Sequence, residues 1–481
     1  MKKRTGENTS IKQGNNIQTG DISKQQVLPK SLSKRLKVAY ALGQYGWSLI
    51  IGLINIWLVW FYNPPAGEAG ALSVHLIPQN RFWGFLTVIG LITMAGRLLD
   101  AVTDPLIATM SDRSEHKKGR RISFMQKGAI PFAVVTALVF FAPTQYVSTL
   151  NVVWLTVTLL LSFVFYTVYV TPYFALVSEF GHTSKEKLDL ATYISATWFL
   201  GYATASFASS VWGIFEGMGM EKLWAIRLTM VIFAGIGLLF MMIPVMLIDE
   251  KTYSSSKPSA ETVKEAFKAT LSNKNFRIFA FSDLFYWFAV TVFQTGTVYY
   301  ITVLIGLDES WTGIVVPAIG VLSFLFYPIV NLTAKRIGKK KMLIGAFVAY
   351  SVVFLYSSLL GTYDLASEPQ VYIFILMTGL PMAILGILPN AMIADVADYD
   401  EKRTGVARQA MFFGTRTFMS KMGQMLAMLV FGWIITYGNS AEHPIGIRMT
   451  AVIAAVACLV GMVVLLFYNE KEVLKGIESD D

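Results

Sequence analysis

Two apolar stretches of the chain carry charges that their surroundings make expensive. The first reads Met94-Ala-Gly-Arg97-Leu-Leu-Asp100-Ala-Val-Thr103-Asp104-Pro105. On a helix Asp100 and Asp104 are i and i+4, so both carboxylates leave one face about one turn apart. Arg97 lies one turn before Asp100 and can partly neutralise it, and Thr103 adds a hydroxyl near the same face. Two carboxylates this close share a proton or coordinate a cation, and oxygen ligands suit a hard monovalent ion such as Na⁺. The second stretch, Arg408 to Gln424, holds Arg416 and Lys421, for which Asp100 and Asp104 are available partners. A charge contact of that kind, made or broken as a cation binds, would couple binding to a conformational change. The competing reading leaves the acids at a helix end, paired with Arg113 or Arg120, and lets Arg416 and Lys421 snorkel to an interface.

The elements that must position these side chains follow from composition. The 481 residues are 54% hydrophobic and only 15% charged, against about 25% charged in a soluble chain. So apolar a chain cannot cover itself with polar surface, and its solvent must be largely lipid. Crossing a hydrocarbon core of about 30 Å takes about 20 apolar residues. Twelve such stretches occur, near 36–62, 81–110, 122–141, 147–178, 190–214, 223–248, 275–305, 311–334, 342–361, 370–394, 408–436 and 446–468. An ionisable group placed inside one costs about 3 kcal/mol or more on insertion scales, so it needs a functional reason.

Loop charge sets direction. One set of loops carries Arg113, Lys117, Lys118, Arg120 and Arg121, then Lys251 to Lys274, Lys335 to Lys341, and Lys402 with Arg403; the other carries mostly acids, from Glu68 to Glu442. The excess of basic residues places the first set, and both termini, in the cytoplasm of a multi-pass protein of the plasma (inner) membrane. The net charge of +9 is thereby a matter of membrane orientation and not of nucleic acid. The predicted organisation is a cytoplasmic tail (1–35), a six-helix half (36–248), a linker (249–274) with an amphipathic helix from Thr262 to Thr270, a second six-helix half (275–468) and a cytoplasmic tail (469–481). The halves echo one another: Ser111-Asp112-Arg113 through Gly119-Arg120-Arg121 follows span two, and Thr333-Ala334-Lys335-Arg336 through Gly338-Lys339-Lys340-Lys341 follows span eight. The fold expected is all-α, twelve transmembrane helices in two halves, as in major facilitator transporters, with the solute site at midplane between the halves.

Aromatic rings are dense in span four, including Tyr166, Tyr169 and Phe174, where they either stack on a solute or simply pack helices. His75, His116, His182 and His443 all fall in loops, and the lone Cys458 can form neither an internal disulfide nor a Cys-based metal site. No nucleophile–base or metal constellation is visible, so an enzyme is not expected. A cytoplasmic gate is expected from Asp112, Arg113, Arg120 and Arg121 pairing with Glu179 or Asp395.

Arg97-x-x-Asp100-Ala-x-x-Asp104-Pro105, the loop Ser111 to Arg121, and Ala394-Asp395-Val-Ala-Asp398-Tyr399 leading to Lys421-x-Gly423 together resemble the glycoside–pentoside–hexuronide:cation symporter family, over about Leu36 to Tyr468. The resemblance implies a site for Na⁺, Li⁺ or H⁺ at Asp100 and Asp104, helped by Thr167 and Lys421, with Thr103 as a further polar ligand and Arg97 and Arg416 in the coupling network. It implies no resident cofactor, only the coupling cation. Its partners would be a small organic solute, a monovalent cation and the bilayer, with the monomer as the working unit. The family's sugar-binding acids fall at Ser48 and about Val170 here, its arginine near Ser195, and two of its tryptophans at about Phe174 and Gly386. A less polar pocket follows, lined by Tyr166, Tyr169, Phe174 and Ser48. The solute implied is a glycoside, pentoside or hexuronide, with a lysophospholipid-like anionic amphiphile, or a non-transporting sensor, as the alternatives.

Overall fold

The computed structural model describes residues 31–65, 75–84, 86–116, 118–181, 184–253, 270–405 and 408–478. The first 30 residues and most of the predicted Thr262–Thr270 helix therefore lie outside the described residues. The first half runs α1 (Lys34–Tyr62), a short hairpin of β1 (Arg81–Phe82) and β2 (Leu86–Thr87), α2 (Val88–Asp112), α3 (Arg120–Val139), α4 (Thr149–Phe180), α5 (Ser184–Ser206), α6 (Ala208–Gly217), α7 (Lys222–Leu247) and α8 (Glu250–Tyr253). The second runs α9 (Lys274–Tyr299), extended by a π-turn to Leu304, then α10 (Thr312–Ile337), α11 (Lys339–Ser358), α12 (Ser367–Thr404), α13 (Gln409–Ile434), α14 (Ile445–Leu466) and α15 (Glu470–Glu478).

Among the described residues, ten helices are long and apolar enough to cross a bilayer. The other two expected spans, α2 and α5, are of similar length but too polar to meet that criterion: α2 carries Arg97, Asp100 and Asp104, and α5 begins with Lys185, Glu186, Lys187 and Asp189. Helix starts follow local chemistry. The side chains of Ser33, Thr87 and Asn273 accept from backbone amides of α1, α2 and α9, each satisfying a donor that the first turn leaves free.

The halves meet with pseudo-twofold logic. The second helix of one half packs on the fifth of the other, α2 on α13 and α5 on α10, while α1 faces α9 between them. At the end of the bundle away from the basic loops, contacts cross this interface. Tyr299 donates to the Asn63 carbonyl at 2.8 Å and Arg81 to the Thr436 carbonyl at 2.8 Å. Lys222 pairs with Glu309 at 2.8 Å, and the Trp433 indole donates to the Gly84 carbonyl at 3.1 Å. At the basic end, every ion pair described stays within one half. Among the described residues, polar contacts thus tie the interface shut at one end, and none of the ion pairs described crosses it at the other.

Candidate functional site

Among the described residues, two clusters of paired charges lie deep in the spans. In the first, the Lys421 ammonium of α13 lies 2.9 Å from Asp100 Oδ1 and 2.6 Å from Asp104 Oδ2, both on α2. Thr167 of α4 donates to Asp100 Oδ1 at 2.8 Å, and Thr171, one turn on, donates to Asp104 Oδ1 at 2.7 Å. Thr103 bonds back to the Leu99 carbonyl at 2.8 Å and touches the Thr167 hydroxyl at 3.2 Å. The i, i+4 spacing therefore does what helical geometry demands: both carboxylates leave α2 toward α4 and α13, not toward lipid. Asp100 is fully buried, with Oδ2 lacking any hydrogen-bond partner, while the Asp104 side chain keeps 29% exposure and opens the cluster to the space between the halves. An acceptor without a donor, beside a second carboxylate and two hydroxyls, is an oxygen-rich cradle to which a small cation is chemically suited.

Arg97 departs from expectation. Its guanidinium donates to Asn55 Oδ1 on α1 and lies 5.0 Å from the centre of the Phe163 ring; it forms no ion pair among the described residues. Helical side chains lean toward the N-terminus, so Arg97 leans away from Asp100 and the one-turn spacing does not become a salt bridge. Arg416 also differs from its predicted partners. It pairs within its own half, with Nε 2.9 Å and Nη2 3.0 Å from the two oxygens of Asp283 on α9, and it donates to Asn390 on α12. Of the two cations of α13, Lys421 is the one that pairs across the interface between halves.

Two of the residues expected in the solute cavity lie elsewhere. Ser48 is buried where α1 and α5 nearly touch: its hydroxyl donates to the Tyr45 carbonyl, and a Cβ built on Gly201 would come within 2.1 Å of it. Tyr169 is buried inside the first half, donating to the Met241 carbonyl of α7 at 2.9 Å. Phe174, exposed, and Tyr166, half-buried, both set ring edges against Trp47.

The basic loops close on carboxylates in both halves. Glu179 accepts from Arg120 at 2.6 Å and Arg121 at 2.8 Å, and Arg121 also holds Asp112 at 2.8 Å. Asp395 pairs with Lys339 at 2.6 Å instead of with the first loop, because the second half has its own copy of the arrangement. Arg113 is exposed, with no ion pair among the described residues. The copy extends to the backbone. Glu250 accepts from the amides of Arg121 and Ile122 at 2.9 and 2.8 Å, capping α3; Glu470 accepts from the amides of Lys339 and Lys340 at 2.7 and 3.1 Å, capping α11. Burial raises the Glu250 carboxyl above its usual range, against the pull of those two amides.

Comparison with known proteins gives the family and the fold. The model of the MFS/sugar transport protein family, which embraces the glycoside–pentoside–hexuronide:cation symporters, matches residues 39–471. The chain belongs to that family. Among its relatives is the inner membrane symporter YicJ of Escherichia coli, 22% identical over 91% of this chain and 92% of that protein. Another is the isoprimeverose transporter of Lactiplantibacillus pentosus, 23% identical over 92% and 90%. Among solved structures, the nucleoside transporter NupG superposes with a TM-score of 0.60 at 14% identity, over 90% of this chain and all of that one, which speaks for the fold alone. The chain is a multi-pass membrane transporter of the major facilitator type.

Four site residues escaped the sequence reading. Asp283 bore the same signal as Asp100, an acid inside an apolar run, and was legible by the same rule. Thr171, Asn55 and Asn390 carry no charge, and nothing in their spacing separates them from ordinary span residues.

Proposed function

We propose that the protein is a symporter that couples the entry of Na⁺ or H⁺ to that of a sugar-like organic solute, a glycoside, pentoside or hexuronide, by alternating access. The observation that carries this reading is the buried Asp100–Lys421–Asp104 cluster, which joins the two halves through one ammonium. A cation entering beside the free Asp100 Oδ2 competes with Lys421 for the carboxylates, and so loosens a contact between halves. In this reading the basic end faces the cytoplasm of the inner membrane, and the conformation described is open to that side. Thr167 and Thr171 hold the carboxylates in place while their partner changes; the pairs of Glu179 and Asp395 keep each half rigid as the halves rock.

The test is Asp104→Asn, which keeps shape and removes the charge. In proteoliposomes this variant is expected to lose cation-stimulated uptake, and in detergent to lose stabilisation by Na⁺. Sodium stimulation equal to that of the parent protein would overturn the assignment.

A further inference from the structure

Two small cavities lie at the interface between halves, close to the cation cluster but apart from it. One is lined by Asn55, Thr93 and Arg97 of the first half and Met428 of the second. The other is lined by Trp198, Phe199 and Tyr202 of α5 against Phe293, Gln294 and Gly320 of the second half. Two facts join them. A Cβ on Gly52 would lie 3.4 Å from the Tyr202 ring, and Gly52 is one turn before Asn55 on α1. Thr295, next to Gln294, reaches the Asn55 carbonyl at 3.4 Å and Met428 at 3.6 Å.

Each cavity holds a polar group whose needs the protein leaves unmet. The Tyr202 hydroxyl is buried without a hydrogen-bond partner, a state that folded proteins rarely tolerate without a reason. Arg97 is buried with a neutral amide as its hydrogen-bond partner and no ion pair among the described residues, because its side chain leans away from Asp100. The remaining wall is aromatic: Trp198 and Tyr202 are stacked, with ring centres 5.4 Å apart and planes 14° from parallel. Such a face takes the C–H side of a saturated ring.

Charge balance narrows the ligand. Arg97 and Lys421 offset Asp100 and Asp104, and Arg416 offsets Asp283. The spans are thus neutral at these clusters before a cation arrives, and a coupling cation leaves them with one positive charge in a medium that penalises it. A solute carrying one negative charge restores neutrality; a neutral solute does not.

Resting on the symport reading above, we infer that the two cavities are the ends of one solute site, and that it takes a sugar acid. The carboxylate or sulfonate is held by Arg97, and the ring lies on Trp198 with a hydroxyl on Tyr202 and Gln294. In the state described the aromatic cavity measures ≈ 30 Å³, room for a water or two, and Phe199 is pressed on Gly320. The site is collapsed here and opens when α5 and α10 part. Obligatory coupling follows from electrostatics, since cation and anion each make the other's burial cheaper.

The experiment uses the full-length protein in proteoliposomes with labelled D-glucuronate and methyl β-D-glucopyranoside, under Na⁺ and under proton gradients. Glucuronate uptake is expected to be gradient-driven, with the methyl glucoside neither carried nor competing. Tyr202→Phe is expected to raise the KM for glucuronate roughly tenfold, the worth of one good hydrogen bond. Arg97→Gln is expected to abolish the preference for the acid. Stabilisation of both variants by Na⁺ in detergent reports that they are folded and keep the cation cluster. Equal uptake of the neutral glucoside, no uptake of glucuronate, or variants indistinguishable from the parent would each overturn the sugar-acid site while leaving symport intact. Symport itself fails separately, through the Asp104→Asn test.

Discussion

Lys421 reaches from the second half and holds one oxygen of each carboxylate, so its removal is the sharpest single-residue probe of the cluster. Truncating one partner of a buried charge group leaves the others uncompensated, at about 3–5 kcal/mol. Lys421→Ala is therefore expected to melt well below the parent in choline chloride. In NaCl the gap should narrow, because sodium then meets two carboxylates without a competing ammonium. A Na⁺-induced rise in Tm no larger than the parent's would mean that cation and lysine do not share the site. The pairing of Lys421 with Asp100 and Asp104 was legible in the sequence, since charges buried at a cost must find partners and the run offered few. The partner of Arg416 was not, because choosing between Asp283 and the acids of α2 requires knowing which way α13 is rotated. Nor was the rotation of Arg97 toward Asn55, which depends on side-chain lean and not on spacing.

At the scale of elements, the glycine-to-helix junctions at Gly119 and Gly338 share one backbone conformation. Both have φ near +100° (107° and 96°), and both leave the next helix to be capped by a glutamate from the segment after the sixth helix of their half. Glu250→Ala and Glu470→Ala each remove an acceptor from two first-turn amides, so each is expected to cost about 1–2 kcal/mol, read as matched falls in Tm. Gly119→Ala is expected to cost more. Its φ is disfavoured for an L side chain, by roughly 1–3 kcal/mol, and the added Cβ would come within 2.4 Å of Glu250. Should Gly119→Ala melt with the parent, neither the positive φ nor the close approach of Glu250 constrains this junction. The two loops announced their kinship by sequence alone, through Gly119-Arg120-Arg121 and Gly338-Lys339-Lys340. The two capping glutamates did not, because each sits more than 120 residues from the amides it serves, and α15 read as a polar tail. Its Val473 is nonetheless buried and Tyr399 donates to Glu472, so the segment is a docked helix.

At the scale of the molecule, the conformation is defined by where the halves touch. Contacts between Asn63, on the far end of α1, and both Tyr299 and Asn439 tie the halves at the end away from the basic loops. A carrier that works by rocking must break those contacts once per cycle, whereas a sensor or a static pore need not. The Asn439 amide lies 3.4 Å from Asn63 Oδ1, so cysteines introduced at these two positions lie within reach of a short bis-methanethiosulfonate cross-linker in this state. Cys458, the sequence's one native cysteine, is fully buried in α14 and leaves little background. Cross-linking of the Asn63→Cys, Asn439→Cys double variant with that reagent is expected to abolish uptake, and reduction to restore it. Cation-induced protection of a reporter cysteine at Thr417, exposed on the open side, is expected to survive the cross-link, because the Asp100–Asp104 cluster stays reachable through Asp104. Uptake that persists after complete cross-linking would show that transport does not require the halves to part here, and alternating access between them would have to be abandoned.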